Sequence, residues 1–333
     1  MVTATSKTLV GRTERFGFRA RIRGAFLRHE ALRGYLLLSP TLLVMVGMMI
    51  VPLVALVVLS FWTQDYFDLV RTFTLDNYAA IFALAEEGPS DFSAFLANPF
   101  GIFENPIYLL LLLRSIKMSL TATIAVVLLA YPMAYFLAFR VKRNKLVWLI
   151  LITVPFWTSY LLRVFAWKVI LGFNGVINSG LMGLGLIDEP LGFLLYNPTA
   201  VTLTLAHAWA AFAILPIYVS LEKIDRSLLE AATDLGDGPV RRFFRVTLPL
   251  SMPGTIAAIL LVFIPTVGDY VTPTLVGGTE GIMIGNIIQS LFGKANNAPL
   301  GAAVSIVSML TITLLVCLFL WLVGYGRMRR REA

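Results

Sequence analysis

Through most of the chain the apolar positions run on, with neither the alternation of a half-buried strand nor the one-sided stripe of a soluble helix. A helix needs about 20 mostly apolar residues to cross a hydrocarbon layer. Six stretches meet that length: 36–62, 109–139, 146–171, 200–221, 251–276 and 300–323. The pattern predicts an all-α integral membrane protein of six transmembrane helices spread over a 36–323 membrane domain. Pro52, Pro132, Pro155, Pro216 and Pro265 fall inside these spans. Membrane helices tolerate proline where neighbours satisfy the freed backbone groups, so kinks are expected there. Residues 1–35 read as a basic cytoplasmic tail ahead of a retained first helix, because no small-residue cleavage pattern follows the apolar run. Residues 324–333 form a second short tail.

Charge gives the spans a direction. Lys7, Arg12, Arg15, Arg19, Arg21, Arg23, Arg28 and Arg33 precede the first span. Arg140, Lys142, Arg143 and Lys145 lie between the second and third, and Lys223, Arg226, Arg241, Arg242 and Arg245 between the fourth and fifth. Arg327, Arg329, Arg330 and Arg331 follow the last. The alternate loops hold only Arg71 and Lys294. By the positive-inside rule both termini are cytoplasmic. The opposite loops are acidic, with Asp65, Asp68, Asp76, Glu86, Glu87, Asp91, Glu104, Asp188, Glu189 and Glu280. These carboxylates are either ordinary solvated loop charge or an entrance that concentrates a cationic solute. The segment 63–108 mixes polar and aromatic residues and is expected to pack on the outer mouth.

Composition then removes other classes. Of 333 residues 58% are hydrophobic and 14% charged, and the mean hydropathy of +0.82 makes lipid the bulk solvent. The net charge of +8 is dealt out between spans, which marks orientation rather than nucleic-acid binding. Cys317 is the single cysteine, and His29 and His207 are far apart. No disulfide, metal site or cofactor is therefore expected. A membrane enzyme needs a nucleophile–base pair or a metal cluster, and this inventory is too thin for either. The phosphate-binding G-x-x-x-x-G-K-[ST] string is absent, so the chain does not itself hydrolyse ATP.

The loop 222–250 reads EKIDRSLLEAATDLGDGPVRRFFRVTLPL. Glu230, Ala231 and Ala232 are followed after three intervening residues by Gly236, after nine more by Val246, and after one more by Leu248 and Pro249. Ser227 and Glu230 have the spacing of a capping box, which predicts a helix over 228–235. Gly236 can supply the left-handed residue that ends it. Asp237 or Gly238 then caps a second helix opened by Pro239. Two short helices at an angle make a knob that can dock in a cleft of a soluble partner. The string resembles the E-A-A loop of permease subunits in bacterial binding-protein-dependent ABC importers, with Val246 in place of that family's isoleucine. In the family this loop is cytoplasmic, precedes the last two helices and fits a groove on the ATPase subunit. The resemblance makes Glu230, Ala231, Ala232 and Gly236 the candidates for coupling to the ATPase.

Further stretches are similar to permeases of the spermidine/putrescine importer group. They are SFWTQDY and FTLDNYAAIF after the first span, NPIYLLLLLRSIKMSLTATIAVVLLAYPMAYFLAF, TVPFWTSYLLRVFAW and FIPTVGDYVTPTLVGG. The resemblance implies a type I importer fold in the bacterial inner membrane. Its implied partners are separate ATPase subunits, a second and different permease, and a periplasmic solute-binding protein. It also implies a small cationic organic solute, a polyamine such as spermidine or putrescine; related permeases carry opines or other small organic solutes. A stand-alone secondary transporter or channel would show inverted repeats or several ionisable residues at a midplane site. No such repeat is visible, and that class leaves the 230–249 string unexplained.

One carboxylate, Asp269, falls inside a span, next to Tyr270. Intramembrane carboxylates are costly unless they face water or a partner. Asp269 either balances a cationic solute, pairs with Arg114, Lys117, Arg163 or Lys168 of another span, or sits shallow near the outer interface. On the span 146–171, Trp157, Tyr160 and Trp167 fall within an arc of about 80° at about 100° per residue. They either line a path for a desolvated cation, form an interfacial belt or pack against neighbouring helices. His207 reads as a hydrogen-bonded packing residue.

Overall fold

The computed structural model describes residues 30–82 and 106–332, the side chains of 30–33, 36 and 326–332 excepted. The basic stretch 1–29, the carboxylates Glu86, Glu87, Asp91 and Glu104, and the side chains of Arg327, Arg329, Arg330 and Arg331 lie outside the described residues. The chain divides into two units, Met1–Val58 and Leu59–Ala333. Helix α1 (Glu30–Leu59) holds the first apolar stretch, Leu37–Leu59, with Pro40 and Pro52 inside it.

The second unit opens with a small antiparallel hairpin, β1 (Thr63–Asp65) and β2 (Asp68–Val70), with Thr63 opposite Val70. A short helix α2 (Asp76–Phe82) follows. Asn77 Nδ2 fastens it to the preceding turn by donating to the carbonyls of Ser60 at 2.8 Å and Trp62 at 2.7 Å. Long helix α3 (Ile107–Tyr135) continues through a π-helical turn to Arg140. Helices α4 (Lys145–Thr153), α5 (Tyr160–Leu171), α6 (Val176–Gly183) and α7 (Pro198–Glu222) come next. The loop helices α8 (Arg226–Asp234) and α9 (Pro239–Arg242) lead through a π-helical turn into α10 (Leu248–Val267). Helices α11 (Ile284–Phe292) and α12 (Ala298–Glu332) complete the chain.

Among the described residues six helical stretches are long and apolar enough to cross a membrane, as the hydropathy pattern predicts. Two differ from expectation. The stretch 146–171 is not one helix: α4 stops at Thr153, a tight turn spans Val154–Trp157, and Thr158 and Ser159 are extended before α5 begins. Pro155 has no N–H to give the helical ladder and restricts Val154 before it. The apolar run long enough to span is instead Tyr160–Gly183, made of α5 and α6. The expected span 251–276 also ends early, because Gly268 closes α10 after Val267.

Helices α3, α7 and α10 form the centre of this unit. Ala130, Ala134, Ala206, Ala213 and Ala258 are buried with Val126, Ile217, Leu221 and Val262 at their contacts. Small side chains let helix backbones approach closely, and lipid offers no hydrophobic drive that would substitute for that packing. One buried polar tie joins Tyr131 Oη on α3 to Ser251 Oγ on α10 at 2.6 Å. Other hydroxyls bond back along their own helices, as Thr123 does to the Ser119 carbonyl at 2.7 Å, which satisfies them in an apolar setting. A second cluster brings Ile81 of α2 against Leu111 and Leu112 of α3, Ile284 and Leu291 of α11, and Ala303 and Val304 of α12. The described part of 63–108 thus packs on the helix ends.

Candidate functional site

The helix breaks noted above build the first candidate site. Beyond Gly268 the chain turns, and Asp269 caps the next helical segment: its Oδ1 accepts the amides of Val271 at 2.9 Å and Thr272 at 3.5 Å. A carboxylate at an N-cap satisfies amides that have no partner inside the helix. Its other oxygen, Oδ2, accepts the hydroxyls of Thr272, at 2.6 Å, and of Tyr160. Tyr160 is the first residue of α5, and its hydroxyl also meets Thr272 Oγ1 at 2.8 Å. Asp269 is buried. Among the described residues it makes no ion pair within 4 Å, so the alternative of pairing with Arg114, Lys117, Arg163 or Lys168 does not hold. Its charge is held by neutral donors alone.

The start of α11 presses on this turn. A Cβ on Gly285 would stand 2.6 Å from the Gly268 carbonyl oxygen and 3.0 Å from that of Asp269, so only glycine admits the approach. Asn286 Nδ2 donates to the Tyr270 carbonyl at 3.0 Å and to Thr274 Oγ1 at 2.8 Å. Tyr270 is thereby anchored through its backbone while its ring stays 46% exposed.

The aromatic residues sort differently from the expected arc. Tyr160 and Trp167 share a face of α5, two turns apart. Trp157 precedes the helix break, lies in the turn after α4 and is 75% exposed, so helix geometry does not carry it onto that face. Four further side chains join the cluster: Phe156, Arg163, His207 and Trp209. Trp209 of α7 stands 6.1 Å, centroid to centroid, from Tyr160. The His207 ring lies 5.4 Å from Trp167 and 5.7 Å from Phe156. It makes no hydrogen bond among the described residues, so it packs on rings rather than on polar partners. Arg163 reaches over the rings of Phe156 at 5.4 Å and Tyr160 at 5.9 Å, and its Nη1 donates to the Phe156 carbonyl at 2.6 Å. The sequence marks Arg163 as an intramembrane cation but gives no hint of this arrangement. Thr272 had a signal: it stands three residues after an aspartate, the N-cap spacing.

The second candidate site is the knob after α7. Helix α8 starts two residues earlier than the Ser-x-x-Glu spacing predicts. Asp225 is its N-cap, with Oδ1 accepting the Ser227 amide at 3.0 Å. That bond holds the Asp225 carboxyl below the usual carboxylate range. Glu230 is therefore not spent on capping; it is exposed and makes no hydrogen bond among the described residues. Gly236 has φ +84°. Its amide bonds the Thr233 carbonyl at 2.9 Å and the Asp237 amide bonds that of Ala232 at 3.0 Å, the paired bonds of a left-handed helix end. Gly238 then caps α9, with Pro239 as first residue.

Asp237 locks the two helices, accepting from Arg245 Nη1 at 3.1 Å and lying 3.8 Å from Arg241. Arg242 adds a bond to Thr233 Oγ1 at 2.8 Å. Ala232 is buried inside the knob, while Ala231 and Gly236 face outward. Leu235, Val240 and Phe244 are exposed on it at 87%, 70% and 60%.

Residues 127–331 match the family described as "Binding-protein-dependent transport system inner membrane component". The chain belongs to this family. It is 37% identical over 272 residues to the "Spermidine/putrescine transport system permease protein PotB" of Escherichia coli (strain K12), covering 81% of this chain and 88% of that protein. With the protein of the same name from Haemophilus influenzae it shares 39% over 243 residues, 72% of this chain and 84% of that one. Among solved structures, a bacterial ABC transporter that imports the acidic polysaccharide alginate superposes with a TM-score of 0.58 at 18% identity, over 90% of this chain and 96% of that one. The last likeness is one of fold: the chain has the type I permease fold of ABC importers. As a permease component it is a multi-pass, non-catalytic membrane subunit. The matched segment contains the knob, the Asp269 turn, Tyr160 and Trp167, and excludes α1.

Proposed function

We propose that the chain forms half of the translocation path of an ATP-driven importer for a small organic cation, a polyamine such as spermidine or putrescine. The second half is a different permease, and a periplasmic binding protein delivers the solute. A separate ATPase docks on the knob through Glu230, Ala231 and Gly236, with Ala232 packing the knob from within. Both termini face the cytoplasm, which the distribution of basic residues supports. The membrane domain is 36–323, with 222–250 as its coupling loop.

The likeness to PotB over four-fifths of the chain supports the substrate class. The observation that carries the reading is the state of Asp269: a buried carboxylate whose four hydrogen bonds come from two amides and two hydroxyls, with no cation within 4 Å among the described residues. A charge so held is stabilised but not neutralised. An ammonium group on the path can neutralise it, with the Tyr160 hydroxyl as the donor that yields. The aromatic faces of Tyr160 and Trp167, with Trp157 and Tyr270 exposed beside the breaks, are suited to a desolvated cation.

The substitution that separates charge from capping is Asp269→Asn, since asparagine caps a helix about as well as aspartate. In cells carrying the ATPase, the second permease and the binding protein, Asp269→Asn is expected to lower spermidine uptake sharply. Its level in the membrane and the basal ATPase rate stay near wild type. Wild-type uptake by Asp269→Asn would remove the charge from the mechanism, and loss of the protein from the membrane would make Asp269 structural.

A further inference from the structure

A groove of about 750 Å3 opens between α3 and α7, and it shares no residue with the Asp269 cluster. Arg114 and Lys117, one turn apart on α3, line it and are exposed. Neither makes an ion pair within 4 Å among the described residues. Arg114 Nη1 is steadied by the Glu280 carbonyl at 3.0 Å, a contact that uses the backbone oxygen and leaves the cation uncompensated. Thr199, in the first turn of α7, lines the same space at the positive end of that helix, and its hydroxyl makes no hydrogen bond among the described residues. Leu113, one residue toward the Ile107 end from Arg114, and Met118, one residue past Lys117, add apolar lining.

The depth of the two cations decides what this groove meets. The α3 stretch Ile107–Arg140 has 34 residues, which at about 1.5 Å per residue is ~50 Å long. The hydrocarbon core is about 30 Å thick, so the helix overhangs it by about 10 Å at each end if centred. Arg114 lies about 10 Å, and Lys117 about 15 Å, along the axis from Ile107. Arg114 therefore sits at the hydrocarbon boundary and Lys117 about 5 Å inside it, a depth from which long basic side chains reach up to the headgroups.

We infer that this groove binds the phosphate of an anionic phospholipid in the leaflet at the Ile107 end, the end that the charge distribution puts outside. The inference rests on the chain spanning the membrane and not on which solute it carries. Each cation at a lipid phosphate favours it by about fivefold. The full chain is extracted from bilayers of mixed phosphatidylcholine and phosphatidylglycerol, and the retained lipids are counted by native mass spectrometry. Phosphatidylglycerol is expected to be retained over phosphatidylcholine, and excess inorganic phosphate does not displace it. Arg114→Gln with Lys117→Gln should cut the phosphatidylglycerol signal by roughly 25-fold, while Arg114→Lys with Lys117→Arg keeps it. Equal retention of the two lipids by the wild-type chain overturns the inference without any variant. It also fails if inorganic phosphate displaces the lipid, or if the neutral pair of substitutions releases the second permease but spares the lipid, in which case the cations face a protein.

Discussion

The amide N–H of Gly254 on α10 donates to Ser220 Oγ on α7 at 3.3 Å. A Cβ on Gly254 would stand 2.2 Å from the Pro216 carbonyl oxygen and 2.4 Å from the Ser220 Cβ. The obstacle is backbone, so nothing short of separating the two central helices relieves it. Gly254→Ala is expected to cost about 1–3 kcal/mol as overpacking and to lower the melting temperature of the detergent-extracted protein. Gly180→Ala on α6 is the control: a Cβ there meets nothing within 4 Å, so it should be neutral or stabilising by up to about 1 kcal/mol. Equal melting temperatures for both variants would refute the close crossing.

Hydropathy shows where lipid replaces water, and so the number of spans was legible from the apolar runs alone. It does not distinguish one long apolar helix from two short ones, which is why the break at Val154–Trp157 was not. Pro155 was visible and suggested a kink; the extended Thr158 and Ser159 that turn the kink into a break follow from packing. The same blindness hid the end of α10. Gly268 followed by Asp269 is a stop and a cap, yet the apolar residues on either side suggested an unbroken span. The knob was more legible, since Gly236 and Pro239 have few conformations open to them and their spacing alone predicts the turn. Its N-cap was misplaced because Asp225 and Ser227 are both good caps, and only the bond formed decides between them.

Lys145 Nζ meets both Glu222 oxygens, at 2.6 and 2.8 Å, and the Ala138 carbonyl at 3.1 Å. One side chain so joins the start of α4, the turn after α3 and the end of α7. The pair is partly exposed, at 23% and 39%, so its Coulombic share is about 1 kcal/mol or less. Glu222→Gln should therefore be mild, and its effect should shrink in high salt. Lys145→Met should be worse, because the Ala138 carbonyl also loses its donor. Thermal unfolding of the two variants at low and high salt tests this. Identical, salt-independent shifts would mean that the pair contributes nothing.

Sidedness can be read by labelling. Cys317 is the only cysteine in the sequence, so a Cys317→Ser background gives clean single sites. Cysteines at Lys142 and Gly238 are expected to react with an impermeant reagent only after the cytoplasmic face is opened, and one at Asp188 in intact cells. All three positions are exposed. Reaction of the Gly238 site from outside would invert the proposed orientation.

Gly236 allows conformation and docking to be separated. At φ +84° a side chain is strained whatever the space around it, by about 1–2 kcal/mol for most residues. A Cβ there meets no atom of the chain within 4 Å, so a steric effect beyond that strain must come from a partner. Asparagine tolerates the left-handed region best, alanine less well, and arginine adds bulk. If the knob only had to fold, Gly236→Ala and Gly236→Arg would be equally impaired and Gly236→Asn nearly normal. If it docks on the ATPase, damage grows with volume: Gly236→Asn and Gly236→Ala lose part of the transport, while Gly236→Arg inserts normally but neither retains the ATPase nor transports. Glu230→Ala should weaken retention without loss of helix, since Glu230 makes no bond within the knob and alanine favours the helix. The measurement is co-purification of the ATPase with each tagged variant, alongside solute uptake. Normal retention and uptake by Gly236→Arg would show that the ATPase binds elsewhere.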